Sequence, residues 1–295
     1  MSRYAAVISV VFLSSCSTVP PGHPFLSELP AGPQIVAERC GDQENPGNTL
    51  RGCEAARASG ATVLGIDIWL SSDGVPVLAN SADLSAFSES NGDLEDQTFA
   101  ELQMLDAAYN WSPQGILDTD GDEVRHPYRG MGYTIPRLSA VGALGGPLLI
   151  NSARPSAPLA EALRAELDDD ELRRVCFWTE TRDGAQILKE AMPTACVAFP
   201  DTDLSCLDWT RIVPLDWGPC RTWDLIVAGA TTSGGRLQLT EAFVEAAEGR
   251  GWPILARTEG DPYLVELLFL LGVEGVLTPG PSDAVEIRER IAHEL

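Results

Sequence analysis

The apolar positions of this chain fall into short runs, and amphipathic stretches separate most of them. QIVAER (34–39) is followed by NTLRGCEAARASG (48–60), whose apolar residues recur at helical spacing and which closes on glycine. TVLGIDIWLSS (62–72) and GVPVLAN (74–80) are joined by an Asp-Gly turn. TFAELQMLDA (98–107) predicts a helix opened by a threonine cap, and PRLSAVGAL (136–144) a second short helix. PLLINSA, RVCFWTE, ACVAFP, WDLIVAG, PILARTE and VEGVLTP then recur as strands, with helical stretches such as TEAFVEAAEGRG and PYLVELLFLLG between most of them. Strands that are apolar on both faces and alternate with helices mean a parallel sheet. Roughly eight such units over roughly 260 residues predict a closed (β/α)8 barrel of the TIM type, with an open doubly wound sheet as the alternative. No GxGxxG follows the first strand, so a dinucleotide fold lacks support.

The N-terminus breaks the pattern. MSRYAAVISVVFLSSC (1–16) has a basic residue, an apolar stretch, small residues and a cysteine, and is too short for a stable span. That is a secretory signal, and LSSC is similar to the lipobox of bacterial lipoproteins. The resemblance implies cleavage before Cys16 and a lipid on its thiol. Three segments are therefore expected: a signal over 1–15, a lipidated Cys16 with a Pro/Gly-rich tether over 16–34, and the barrel over 35–295. Ser17, in place of Asp, favours an outer membrane, with the protein facing the periplasm.

Charge narrows the partners. There are 43 acids against 20 bases, a formal net charge of −23, spread without an acidic tail. Such a balance disfavours nucleic acid and electrostatic docking on anionic lipid, leaving Cys16 as the membrane contact. Export also changes the reading of the cysteines. Six follow Cys16, at 40, 53, 176, 196, 206 and 220, an even number in an oxidising compartment. Cys40 after the first strand and Cys53 in the next helix are close in any βα unit, which predicts a disulfide. Cys206–Cys220 is a further nearest-neighbour pair. Cys176 and Cys196 sit in apolar runs, where either a bond or buried free thiols is acceptable.

In a parallel barrel the chemistry sits at the C-terminal strand ends. That singles out Glu38 and Arg39, Gly65 and Asp67, Asn80 and Ser81, Asn151 to Arg154, Glu180, and Arg257 to Glu259. At these residues the chain resembles the glycerophosphodiester phosphodiesterase family. IVAERCGDQENPGNTLRGCEAARASGATVLGIDIWLSSDGVPVLANSADL is similar to that family's opening, with its I-A-H-R-G, P-E-N-T, E-x-D, D-G-V-P-V-V and H-D. HPYRGMGYTIPRLSAVGAL and GVEGVLTPGP resemble its insert before the fourth strand and its closing segment. The likeness covers about 34–282 and implies a TIM-type barrel.

In that family two histidines act as acid and base on a phosphodiester, and calcium or magnesium is held by the E-x-D acids and a later glutamate. A cation offsets the diester's charge, and two titratable groups move the protons. This chain departs at nearly each of those positions. Glu38 stands for the first histidine, Asn80 for the second, and Ser81 for the acid after it. Gly47 stands for the glutamate of P-E-N-T. Gly65 and Asn151 stand for two of the three metal acids, and Asp67 alone remains. The three histidines, His23, His126 and His293, lie at no such strand end. A lone carboxylate does not hold calcium, which takes roughly six to eight oxygens.

The expectation is an envelope lipoprotein with a degraded phosphodiesterase barrel and no cofactor, calcium or magnesium being relevant only if activity survives. The candidate site residues are Glu38, Arg39 and Asn80 at the chemical positions, Asn48 and Arg154 toward a substrate, and Asp67 as a weak metal ligand. One alternative is an altered hydrolase with Glu38 as base and Arg39 as phosphate clamp. The other is a non-catalytic binding or structural lipoprotein, with a phosphodiester or lipid-derived small molecule, or an unidentified protein, as partner. DTDGDE (118–123) has oxygen ligands at alternate positions, as in part of a calcium loop, but lacks the closing glutamate and reads better as a solvated turn. Trp69 and Trp178 are expected in the core.

Overall fold

The computed structural model describes residues 23–27, 29–113, 125–204, 223–231 and 238–294. Eight strands form one curled parallel sheet: β1 (Gln34–Ala37), β2 (Val63–Leu70), β4 (Leu148–Asn151), β5 (Val175–Trp178), β6 (Cys196–Val197), β7 (Ile226–Gly229), β8 (Ile254–Arg257) and β9 (Gly275–Thr278). Their order is β6-β5-β4-β2-β1-β9-β8-β7, so neighbours in space are neighbours in sequence except between β2 and β4 and where the first strand meets the last. β3 (Pro76–Leu78) pairs antiparallel with the end of β2, Trp69 opposite Val77. The two edges also meet: Phe199 N–H donates to Leu225 O at 2.8 Å and Asp224 N–H to Val197 O at 3.0 Å. This is a TIM-barrel-like sheet, as the alternation of apolar runs requires.

The helices are α1 (Pro24–Ser27), α2 (Leu50–Ala58), α3 (Phe99–Leu102), α4 (Leu138–Gly142), α5 (Ala157–Glu166), α6 (Asp169–Leu172), α7 (Arg182–Ala191), α8 (Glu241–Glu248), α9 (Pro262–Leu270) and α10 (Pro281–Glu294). Their starts are written in the sequence. The side chains of Thr49, Ser156, Thr181 and Asp261 accept from first-turn amides, and Thr98 with Glu101 forms a capping box. The helix expected over 98–107 stops at Leu102. Beyond it Ala107 N–H is bonded to Tyr133 O at 2.8 Å, which draws the chain across to the insert instead of into another turn.

Strand residues alternate between two apolar cores. Ile35, Leu64, Ile66, Ile150 and Phe177 face the helices. Val36, Val63, Leu149, Cys176, Leu255 and Leu277 fill the barrel interior. A third cluster, including Trp69, Leu84, Leu94 and Ile135, sits under the insert between β3 and β4. Among the described residues no helix is long and apolar enough to cross a membrane.

One sequence expectation changes here. The stretch expected to act as a tether over 16–34 belongs in part to the barrel. Phe25 is fully buried in the interior cluster, His23 Nε2 lies 2.8 Å from Thr194 O, and Gln34 donates through Nε2 to Pro30 O and Gly32 O at 2.6 Å. An aromatic ring near the N-terminal strand ends gains too much by burial to be left in a flexible linker. Cys40 and Cys53 form the disulfide the sequence predicts, and Cys176 and Cys196, left open between bond and free thiols, are joined across the β5–β6 ladder. Cys16, Cys206, Cys220 and DTDGDE lie outside the described residues.

Because Phe25 closes the barrel from beneath, truncating it leaves a void in the interior cluster. Phe25→Ala should lower stability by about 3 kcal/mol or more. Urea unfolding followed by tryptophan fluorescence would measure it, and an unchanged midpoint would remove the plug from the barrel's stabilising contacts.

Candidate functional site

The side chains at the C-terminal strand ends converge on Asp67. Its Oδ2 accepts from Arg39 Nε at 2.7 Å and its Oδ1 from Asn151 Nδ2 at 2.8 Å. Asn48 Nδ2 lies 3.5 Å from Oδ2 and 2.8 Å from Asn80 Oδ1, while Asn48 Oδ1 accepts from the Asp67 amide at 3.0 Å. One carboxylate therefore holds four of the positions picked out from sequence: Arg39 and Asn151 directly, Asn48 on both sides, and Asn80 through Asn48. Asn48 spends both ends of its amide inside this network and is almost fully buried, so it positions Asp67 and does not face a substrate.

Arg39 reaches Asp67 through an unusual backbone. Arg39 (φ 49°), Cys40 (φ 59°) and Gly41 (φ 78°) are consecutive left-handed residues, and Asn48 (φ 52°) and Glu259 (φ 51°) at the same mouth are left-handed too. Non-glycine residues adopt this region at a cost and persist there when their surroundings hold them. The Cys40–Cys53 bond ties the strained turn to α2, and Trp111 Nε1 donates to Asp42 O at 2.7 Å from the insert. Arg154 stands apart. It donates to Asp93 at 2.8 Å and Glu95 at 2.9 Å with its guanidinium over Trp69, so it pairs with neighbouring acids and does not point to a ligand.

Next to the Asp67 network is a cleft of about 260 Å³ lined by Glu38, Arg39, Asp42, Gln43, Arg257, Glu259 and Pro279. It is neither a convergent acid cluster nor an apolar plug. Burial raises the Glu38 carboxyl to about 7, and the positive charges of Arg257 and Arg39 only partly oppose it. Burial works against the charge of Arg39, but Asp67 outweighs it and holds the guanidinium above its ordinary pKa. Burial also raises Asp42, against the pull of Arg39. Arg257 was noticed in the sequence only as a strand-end residue. Its inward position on β8, with its guanidinium 5.1 Å from the Trp178 ring centre, comes from strand register and could not be assigned without the barrel.

The residues present do not fit a divalent metal. Among the described residues no group of three or more His, Cys, Asp or Glu side chains converges as a metal ion needs. Both Asp67 oxygens already accept hydrogen bonds from protein donors. The lost acids have not left open seats either. A Cβ on Gly65 would lie 3.1 Å from Ala37 O and 3.2 Å from Leu277 Cδ1, and one on Gly47 would lie 2.4 Å from Asp42 Cβ.

The folded chain keeps the Glu38 proton between its ordinary value of 4.5 and about 7, where the unfolded chain has lost it. This contribution to stability is complete below 4.5 and is lost as pH rises through 7. Glu38→Gln should thus be more stable than the parent at pH 8, with the advantage shrinking toward pH 4. Paired thermal melts across that range test this; a difference independent of pH would show that Glu38 titrates normally.

The comparisons with known proteins agree with this architecture. The model of the glycerophosphoryl diester phosphodiesterase family matches residues 39–190. A 120-residue stretch is 37% identical to the uncharacterised protein Rv2277c of Mycobacterium tuberculosis, covering 39% of this chain and 38% of that one. A 75-residue stretch is 37% identical to glycerophosphodiester phosphodiesterase 1 of Rattus norvegicus, covering 25% of this chain and 23% of the relative. The chain thus spans well under half the length of these curated relatives. The crystal structure of the glycerophosphoryl diester phosphodiesterase domain of Rv2277c superposes with a TM-score of 0.72 at 24% identity, over 88% of this chain and 99% of that domain. With the family model spanning more than half of its length, this chain belongs to the glycerophosphoryl diester phosphodiesterase family.

Proposed function

We propose that this family member is an envelope lipoprotein whose barrel binds a ligand at its mouth but no longer hydrolyses phosphodiesters. The observation that carries the reading is the state of Asp67. The one carboxylate left at the family's metal positions is neutralised by Arg39 and saturated by amides. Diester hydrolysis needs a cation to offset the anion's charge and separate groups to take and to give a proton. The family-matched positions here offer Glu38 and Asn80, and an amide neither donates nor accepts a proton near neutrality.

An altered hydrolase is the second reading. The raised pKa of Glu38 favours it, since a group near 7 suits acid–base work. Two facts weigh against it. Arg39, the clamp in that scheme, is committed through Nε to Asp67 and through Nη1 to Asp42. No second titratable group stands opposite Glu38 at the position of Asn80.

Lipidation of Cys16 and an outer-membrane location facing the periplasm remain part of the proposal. The signal-like residues 1–16 support export, and two disulfides suit an oxidising compartment. The lipid on Cys16 is then the membrane contact, with a lipid-derived small molecule as ligand and nucleic acid disfavoured by charge.

The purified protein should release no glycerol phosphate from glycerophosphodiesters with calcium or magnesium, and a chelator should change nothing. Chelator-sensitive turnover that disappears in Asp67→Ala would replace this reading with the altered hydrolase. In a bacterial host, Cys16→Ala should leave the protein unprocessed or release it from the membrane fraction. A mature protein that is soluble and begins beyond Cys16 would reject the lipid anchor.

A further inference from the structure

Glu38 and Arg257 face each other across the cleft at ion-pair distance but with no hydrogen bond between them. Their closest atoms, Oε1 and Nη2, are 3.7 Å apart, and the side chains are 19% and 28% exposed. Neither side chain makes a hydrogen bond to any described residue, and the buried Nε of Arg257 has no partner. The other acid near Arg257, Glu259, is 3.5 Å away and largely in solvent. A guanidinium offers five donors and a carboxylate four acceptor sites, and leaving such groups half-buried and unmatched is costly.

The gap is held open from both sides. Arg257 rests over the Trp178 ring, and Trp178 is fixed through Nε1 to Asp201 at 3.2 Å. Glu38 begins the strained turn that carries Arg39 to Asp67 and that Cys40 ties to α2. A group that bridges the gap from the cleft has to accept from Arg257 and to bond the Glu38 carboxyl in whichever protonation state it holds.

Charge selects the chemistry. Even with Glu38 protonated, Asp42, Asp67 and Glu259 outnumber Arg39 and Arg257 around the cleft, so an incoming anion meets net repulsion. A cation would instead sit against two guanidiniums. A hydroxyl accepts and donates at once and carries no charge. The volume, about 260 Å³, is below the roughly 300–1,000 Å³ of ordinary ligand pockets and suits one small unit.

We propose that this mouth binds a neutral polyol, a sugar or glycerol-type headgroup, through adjacent hydroxyls bridging Glu38 and Arg257. The proposal rests on the reading of the mouth as a binding site that does not cleave. Arg257 and Glu38 are then the specificity-determining residues, and Trp178 with Asp201 positions Arg257.

The test titrates the purified full-length chain with myo-inositol, with glycerol and with inorganic phosphate, following the Arg257 Nε–H resonance by NMR. Loss of that signal in Arg257→Lys assigns it. Either polyol should shift the resonance saturably, myo-inositol alone marking a sugar-type site and glycerol a glycerol-type one. Arg257→Leu and Glu38→Leu should each weaken binding, read from ligand signals, by about ten-fold or more. Because the resonance is read in the unaltered protein, the test stands even where a leucine variant fails to fold. The proposal fails if neither polyol binds, if binding survives both leucine variants, or if phosphate binds more tightly than the polyols. Hydrolysis is scored separately: turnover of a diester would remove the non-cleaving reading and leave the polyol result standing.

Discussion

The ion pair between Arg39 and Asp67 organises the mouth of this barrel. Its 2.7 Å hydrogen bond joins the turn after β1 to the middle of β2, and the rest of the polar network is built on the same carboxylate. Asn151 reaches it from β4, and Asn48 brackets it from the loop before α2. For the bond to form, two successive non-glycine residues occupy left-handed backbone, and a disulfide fastens the second of them. The guanidinium sets a permanent positive charge beside this carboxylate, held there by the backbone of the turn.

The residues around this pair agree with one another. An acid at 151 would place a second carboxylate against Asp67 with only Arg39 to share, whereas asparagine donates to it. Glycine at 65 leaves room for the close approach of the Ala37 carbonyl and the Leu277 side chain, and glycine at 47 leaves room for Asp42. Asp42 in turn accepts from Arg39 at 3.4 Å. The mouth is a self-consistent hydrogen-bonded structure with its own packing, and reversing any single position disturbs its neighbours.

Much of this was legible in the chain, for identifiable reasons. The parallel sheet follows from apolar runs on both strand faces, and the strand ends that carry Glu38, Asp67, Asn151 and Arg257 follow from it. The Cys40–Cys53 bond follows from βα proximity. Other features depend on register and three-dimensional packing. Cys176 and Cys196 look like ordinary buried residues until the β5–β6 ladder sets them side by side. Arg154 sits at a promising strand end, but the acids that claim it, Asp93 and Glu95, belong to a distant loop of the insert. Arg257 gains its meaning from Trp178 on β5, which is not a strand that flanks β8, and from Glu38 across the cleft. Phe25 was hidden by its company, since a single aromatic among prolines and glycines reads as linker.

The burial of Phe25 also orients the molecule. The ring seals the end of the barrel where the strands begin, and the cleft opens where they finish. Closure and access are thereby assigned to opposite ends of one sheet, so a side chain exchanged at the base reaches the cleft only through the strands between them.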